Sequence, residues 1–123
     1  MIGELNGKRA YFLIDTGSDL TILNSKDARK YGFKIRATRA GKYKISGLDS
    51  EHRGRFLLAF KAELILGGRN MRGSYKVFDL SHIIKSILDD TGIRITGIIG
   101  SDLMKRHKFV IDYEAEEISF APD

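Results

Sequence analysis

The sequence contains no cysteine and only one proline among its 123 residues. The absence of cysteine excludes a disulfide framework and a thiolate metal site, and it is compatible with a reducing compartment. Because Pro122 is the one proline, the chain has no proline-rich linker. It also has no internal repeat and no low-complexity tract. The length therefore predicts a single domain over residues 1–123.

Long hydrophobic runs are missing as well. The longest unbroken apolar stretches have five residues, as at Phe56–Phe60, whereas a transmembrane helix needs about 20. No charged segment followed by an apolar core gives the N-terminus the pattern of a signal peptide. These two absences favour a cytoplasmic protein that does not enter a membrane.

Acidic residues are scarce in one part of the chain, although the net charge of the whole is only +5. Ten of the 21 basic residues and three of the 16 acidic ones lie between Lys26 and Arg55. Such a segment could meet an acidic partner or nucleic acid, but no aromatic-rich nucleic-acid motif accompanies it. A solvated surface that keeps the protein soluble is therefore the favoured explanation of the charge, and nucleic acid is not an expected partner. Nucleic-acid binding stays an alternative, and it would show as an affinity that falls steeply as the salt concentration rises.

Short apolar segments separated by turn signals predict a mainly β protein with a few short helices. Asn6-Gly7 predicts a tight hairpin turn between strands at Ile2–Leu5 and Lys8–Ile14. Apolar residues at helical spacing predict a helix over Ser81–Asp90. The other predicted elements are a helix from Ser25 to Tyr31 capped by Ser25, two hairpin arms at Lys42–Ser46 and Arg55–Leu66, a strand near Met71–Phe78, a helix over Asp102–Arg106 capped by Ser101, and a final hairpin of Lys108–Tyr113 with Glu117–Phe120.

A carboxylate stands where a buried strand should end. The apolar run Tyr11–Ile14 leads directly into Asp15, which is followed by Thr16, Gly17 and Ser18. A strand end would hold the carboxylate rigidly, Gly17 would permit a tight turn, and the two hydroxyls could form hydrogen bonds around the acid. The pattern suits an acid directed into a cleft, and it also suits an aspartate that closes an ordinary turn.

The segment Leu13–Ser18 resembles the active-site signature of the aspartic protease superfamily, which has two apolar residues, Asp, Thr or Ser, Gly, and Ala or Ser. The same superfamily carries a later apolar-apolar-glycine element followed by a short helix, and Ile98–Gly100 resembles that element. The stretch from Ile98 to Phe120 is similar to the retropepsin-like domains of DNA-damage-inducible, ubiquitin-shuttle proteins. The resemblance covers Leu5 to Phe120. It implies an all-β, retropepsin-like acid protease barrel with short helices and one lobe per chain.

The resemblance implies a homodimeric aspartic endopeptidase with Asp15 of each subunit as the catalytic pair. Two carboxylates about 3 Å apart share one proton around the attacking water, because both cannot ionise cheaply at that distance. Thr16, Gly17 and Ser18 would support the active-site turn. An extended peptide would lie between the subunits under two flaps, each at Ser46–Gly54. The substrate-binding residues implied in this way are Asp19, Ser46, Gly47, Leu48, Ile99 and Gly100.

The sequence departs from the retroviral pattern next to its second motif. Retroviral proteases commonly have an arginine directly after the second glycine, paired with the acid two residues past the DTG glycine. In this sequence these two positions are Ser101 and Asp19. Asp19 would therefore face substrate or another base. The predicted flap tip is charged rather than glycine-rich, and Ser81–Asp90 resembles an insertion relative to the smallest viral enzymes.

A second Asp-Thr-Gly occurs at Asp90–Gly92. Single-chain enzymes of the superfamily repeat a whole lobe, but no apolar strand precedes Asp90. Apolar residues at helical spacing precede it, so Gly92 is predicted to follow the end of a helix. The partner carboxylate of Asp15 must then come from a second copy of the chain. By the resemblance, Ile2–Leu5 and Glu117–Phe120 would be the dimer strands.

A catalytically inactive module of the same fold, used for dimerisation or peptide capture, is the other function that stays open. The intact Asp15-Thr16-Gly17 is evidence against it, because an inactive domain has no chemical need for that acid. The three histidines show no ligand spacing, and nothing in the sequence indicates a metal or an organic cofactor.

Overall fold

A computed structural model describes residues 1–44, 51–71, 75–112, 114, 115 and 117–122, with residues 38–44 and 51–56 described by their backbone. Ser46, Gly47 and Leu48 of the predicted flap lie outside these residues. None of the helices in the described part of the chain combines the length and the apolar character that a membrane crossing requires.

Within the described residues the chain forms many short strands and a few short helices, which confirms the mainly β prediction. The helices are α1 (Ala28–Tyr31), which follows a 3-10 turn at Ser25–Asp27, α2 (Ser81–Thr91) and α3 (Ser101–Arg106). The strands are β1 (Ile2–Leu5), β2 (Lys8–Ile14), β3 (Ile22–Asn24), β4 (Lys34–Lys44), β5 (Glu51–Phe60), β6 (Leu64–Leu66), β7 (Arg69–Asn70), β8 (Lys76–Phe78), β9 (Gly97–Ile99), β10 (Phe109–Asp112) and β11 (Glu117–Phe120).

One large sheet contains β1 to β9 in the order β4-β5-β8-β3-β9-β2-β1-β6-β7, and β10 pairs with β11 in a separate hairpin. The predicted first hairpin is confirmed, because β1 and β2 pair antiparallel with Leu5 opposite Lys8. Asn6 and Gly7 take φ values of 50° and 78°, as a two-residue hairpin turn of this kind requires.

Strand β9 lies between β2 and β3. It runs parallel to β2, with Ile14 opposite Ile99, and antiparallel to β3, with Ile22 opposite Ile98. The loop that joins β2 to β3, residues 15–21, therefore passes over the end of β9. This arrangement brings the two motifs of the sequence together.

The second predicted hairpin needs correction. Its arms are β4 and β5, so the first arm begins well before Lys42 and the second ends at Phe60 rather than at Leu66. Lys61 has a left-handed φ of 55°, which ends the strand. The apolar residues after it form β6 and pair with β1, because Leu64 and Leu66 are fully buried there. The strand predicted near Met71–Phe78 is limited to β8 in the described residues.

The helix predicted over Ser81–Asp90 is confirmed as α2. Gly92 ends it with a left-handed φ of 74°, and its N–H donates to the Leu88 carbonyl at 2.8 Å. This geometry confirms the helix-end interpretation of the second Asp-Thr-Gly. The predicted serine caps are wrong: Ser25 and Ser101 are the first residues of their helical turns, and neither turn has a side-chain cap.

The buried side chains form two clusters that meet at β9. Ile99 belongs to one cluster together with Phe12, and Ile98 belongs to the other together with Ile22 and Ile84. Successive residues of a strand face opposite sides, so β9 packs into both clusters. Because β9 is fixed from both sides, the loop that crosses its end rests on a rigid base.

Tyr75 makes part of this packing sensitive to high pH. Its ring is buried, and its hydroxyl donates to the Met71 carbonyl. Burial, with a smaller contribution from the Asp102 carboxylate, raises the pKa of Tyr75 to about 12. An unfolded tyrosine ionises near pH 10. Between about pH 10 and 12 the unfolded chain therefore binds fewer protons than the folded one, and stability falls as the pH rises.

We expect Tyr75→Phe to remove this part of the pH dependence. Urea unfolding at several pH values between about 9 and 11.5 would measure it, with Tyr11→Phe, at a half-buried position, as the matched control. The control should keep the fall in stability above pH 10. A Tyr75→Phe chain that loses stability as steeply as the wild type would contradict the assignment.

Candidate active site

Asp15 directly follows β2, at the point where β2 and β9 end side by side. Its N–H donates to the Ile99 carbonyl at 3.0 Å, which extends the strand pairing by one residue. The side chain is half-buried. The carboxyl ends of adjacent parallel strands are a common place for functional groups in proteins. The strand pairing therefore fixes the backbone of Asp15 while its carboxylate stays accessible.

Backbone N–H groups of the residues that come after Asp15 hold its side chain and its carbonyl in place. The Gly17 N–H donates to Asp15 Oδ1 at 2.9 Å, and the Ser18 N–H donates to the Asp15 carbonyl at 3.1 Å. This is the geometry in which an aspartate side chain closes a turn on itself. Among the described residues, no hydrogen bond occupies Asp15 Oδ2. One carboxylate oxygen is thus anchored, and the other is available for chemistry.

The structure specifies the role of Gly17 in the turn and corrects that of Ser18. Gly17 has no positive φ, unlike Gly7 and Gly92, and its N–H donates to Asp15 Oδ1. The Ser18 hydroxyl is fully buried and donates to the Leu20 carbonyl at 2.8 Å rather than to Asp15. Ser18 therefore supports the loop from inside.

A network that the sequence analysis missed ties this loop to α3. The Asp102 carboxylate accepts the Thr21 hydroxyl at 2.7 Å and the Thr21 N–H at 3.1 Å. The Thr21 hydroxyl oxygen accepts the Gly100 N–H at 3.1 Å, and the Ser101 N–H donates to the Ser18 carbonyl at 2.8 Å. Four hydrogen bonds thus join the loop after Asp15 to Gly100 and the first turn of α3. A polar Thr21 within an apolar stretch was the available signal for such a contact.

Gly100 makes this close approach possible. A Cβ atom at this position would lie 2.4 Å from the Leu20 carbonyl oxygen and 2.8 Å from that of Ser18. Its φ of −96° is ordinary, so the requirement for glycine comes from lack of space and not from backbone conformation. The glycine of the second motif is therefore the surface on which the Asp15 loop rests.

Of the predicted substrate-binding residues of this region, Ile99 and Gly100 are buried and Asp19 is exposed. Ile99 is fully buried in the core, so the structure contradicts a direct substrate contact through its side chain. Gly100 is buried beneath the loop. Asp19 is exposed and four residues beyond Asp15, and it has no ion-pair partner among the described residues. Its contact with substrate stays a prediction.

The second Asp-Thr-Gly lies at the other end of the sheet. Gly92, two residues after Asp90, lines a cavity together with Arg9 near the start of β2. Arg9 and Asp15 are six residues apart in an extended strand, a separation of about 20 Å. Asp90 therefore cannot be the partner of Asp15 within one chain.

The exposed side of the turn borders an open cavity of about 510 Å³. Thr16 is exposed there and lines the cavity together with residues of α3 and the final hairpin. Most of the lining is apolar or carries the long side chain of a lysine. The lining residues are Thr16, Ser101, Met104, Lys105, Lys108, Phe109 and Ile111.

Comparison with known proteins identifies the fold. The family model described as aspartyl protease matches residues 1–103. No curated protein sequence matches the chain. The retroviral protease-like domain of Ddi1 from Leishmania major has a TM-score of 0.60 and 19% sequence identity, over 99% of this chain and 86% of that one. EIAV protease, in complex with the inhibitor HBY-793, has a TM-score of 0.50 and 20% identity, over 86% of this chain and 84% of that one. The predicted retropepsin-like fold is confirmed.

Proposed function

Because the chain belongs to the aspartyl protease family, we propose that it is an aspartic endopeptidase whose active form is a homodimer with one Asp15 from each subunit. The observation that supports this proposal most directly is the Asp15 turn. Its carboxylate is anchored through one oxygen by the Gly17 N–H and is available through the other. The turn is attached to both halves of the core through β2 and β9.

The proposed reaction needs two carboxylates that share one proton. The ionised Asp15 takes a proton from a water molecule, and the oxygen of that water attacks the carbonyl carbon of the peptide bond. The protonated Asp15 of the partner gives its proton to the carbonyl oxygen. When the tetrahedral intermediate collapses, the C–N bond breaks and the leaving nitrogen accepts the proton that was taken from the water. One hydroxyl of the intermediate returns its proton to the partner Asp15, which restores the singly protonated pair. Each Gly17 N–H keeps its Asp15 carboxylate oriented throughout.

A second copy of the chain would complete the site. The exposed Thr16 face and the adjoining cavity lie beside Asp15, where the partner turn must approach. In the described residues β10 and β11 pair only with each other, so each has an open edge for pairing with another chain. Strand β1 is different, because β2 and β6 occupy its two edges. The proposed contact therefore includes Glu117–Phe120, and the earlier assignment of Ile2–Leu5 as a dimer strand is dropped.

We propose that residues 1–123 make up one protease domain, since the two buried clusters share β9. The substrate would be an extended peptide bound across the two Asp15 turns. Asp19 would contact that peptide beside the catalytic pair. Ser46, Gly47 and Leu48 are proposed to contact it from the flap side.

The direct test is cleavage of a denatured protein over about pH 3 to 7. We expect cleavage, and we expect inhibition by a peptide analogue with a hydroxyl in place of the scissile carbonyl. The same peptide without that hydroxyl is the matched control and should inhibit at least about 100-fold less, because only the hydroxyl form resembles the transition state. Activity per chain should fall on dilution below the dimer dissociation constant. Peptide binding without cleavage would support the inactive binding module instead, and activity that is independent of dilution would contradict the dimer.

A further inference from the structure

A second cavity, of about 280 Å³, lies at the start of β2 and β9. Asp15 follows the opposite end of these strands, about 20 Å away. The wall comes from three segments of the chain, which are β2, α1 and the stretch between α2 and β9. It includes Arg9, Tyr11, Lys30, Tyr31, Arg94 and Thr96.

The charge of this wall is positive. In the described part of the chain three basic residues line the cavity and no acidic residue does. Arg94 is neutralised from behind, because its guanidinium donates to both carboxylate oxygens of the buried Asp27 at 2.9 and 3.1 Å. Arg9 and Lys30 form no ion pair among the described residues, and this includes Glu4, which is opposite Arg9 in the hairpin. Two uncompensated positive charges therefore remain at the cavity.

Aromatic rings hold these two cations at the wall. The Arg9 guanidinium carbon lies 5.7 Å from the centre of the Tyr11 ring, and the Lys30 ammonium lies 5.4 Å from that of Tyr31. These are distances at which a ring face attracts a cation. Two of the three hydroxyl protons at the wall are already used, since Thr96 donates to the Tyr31 hydroxyl and Tyr31 donates to the Arg9 carbonyl. The side-chain donors that remain are the Arg9 and Lys30 cations and the Tyr11 hydroxyl, so a suitable ligand is an acceptor with negative charge.

We propose that this cavity binds a phosphate monoester, with the phosphoryl group between Arg9 and Lys30. A phosphate monoester carries about −1.5 to −2 charges near neutral pH, which matches the two free cations. Guanidinium forks bind phosphate oxygens in pairs. The volume of the cavity equals that of roughly nine water molecules in the liquid. The cavity is therefore larger than a bare phosphate and has room for a small organic group.

Two sources share this chemistry, namely a phosphorylated side chain of another protein and a free nucleoside monophosphate. The proposal does not depend on proteolysis, because the cavity and Asp15 are at opposite ends of the strands. The contact proposed for the second subunit lies beside Asp15 and leaves this cavity open.

A titration of the full chain followed by ¹⁵N NMR tests the proposal. The probes are AMP, a phosphoserine peptide and inorganic phosphate, with adenosine and the unphosphorylated peptide as matched controls. We expect the phosphate esters, but not their unphosphorylated forms, to shift the amide signals of Gly92, Ile93 and Thr96. Saturation by AMP alone would identify a metabolite site, and saturation by the phosphopeptide alone would identify a protein partner.

Variants separate this site from general surface charge. Arg9→Gln with Lys30→Gln should weaken binding of the ester at least tenfold. Lys34→Gln with Lys85→Gln removes the same charge elsewhere and should change binding less than twofold. Arg94 is left intact, because its loss would strand the buried Asp27 carboxylate. The proposal is overturned if both double variants weaken binding equally, if the shifts map to another surface, or if no ester binds at about 10 mM.

Discussion

Asp15→Asn is expected to abolish cleavage while the fold and the dimer stay intact. Asparagine has nearly the same shape, and its side-chain oxygen can still accept the Gly17 N–H that now binds Asp15 Oδ1. Its amide nitrogen cannot take a proton from water or share one with a partner carboxylate. We expect the turnover number on a fluorogenic peptide to fall at least about 10³-fold. Circular dichroism and sedimentation should match the wild type.

Mixed dimers make the same prediction sharper. If equal amounts of Asp15→Asn and wild-type chains re-pair at random, half of the wild-type chains enter dimers with one asparagine. The activity of a fixed amount of wild-type protein should therefore fall to about half, and further with excess variant. No such loss is expected for a site that is complete within one chain.

Asp90→Asn is the matched control, because it makes the same chemical change in the second Asp-Thr-Gly. Asp90 lies near the end of α2, at the end of the sheet opposite Asp15. Its variant should keep its activity. Loss of cleavage in Asp90→Asn, together with full activity in a strictly monomeric wild type, would contradict the homodimer.

The features that the sequence predicted well are those set by neighbouring residues. Asn6-Gly7 determines its own hairpin turn, and the residues of α2 carry both the helical pattern and the glycine that ends it. The Leu13–Ser18 signature and the glycine of the second motif are short patterns too. Their resemblance to a known family supplied the fold that the comparisons confirm.

The features that could not be predicted depend on distant parts of the chain. Thr21 and Asp102 are 81 positions apart, and they meet only because β9 lies between β2 and β3. The burial of Ile99 has the same origin, since both faces of β9 are covered. Likewise, nothing local to Leu64–Leu66 indicates pairing with β1. Pairing of this kind is determined by the packing of the whole sheet, for which a single sequence gives no direct signal.

Gly100→Ala tests whether the second motif supports the Asp15 loop. The new Cβ atom would lie 2.4 Å from the Leu20 carbonyl oxygen, and a backbone atom cannot rotate away as a side chain can. The clash is relieved only if the Asp15 loop moves away from β9. That movement breaks the hydrogen bonds from the Gly100 N–H to Thr21 and from the Ser101 N–H to Ser18. We expect a loss of about 3 kcal/mol or more in the free energy of unfolding. Cleavage should be lost as well, even in the folded fraction.

Gly68→Ala separates this effect from the general cost of replacing a glycine. Gly68 has a φ of +75° but no atom within 4 Å of the added Cβ, so its variant is strained without a clash. We expect it to lose about 1–2 kcal/mol of stability and to keep the turnover number of its folded fraction. Urea unfolding and cleavage per folded dimer measure both quantities. If Gly100→Ala keeps wild-type turnover per folded dimer, the Asp15 loop does not need the support of β9. If Gly68→Ala loses turnover to the same extent, the loss reflects general instability and not the position of Asp15.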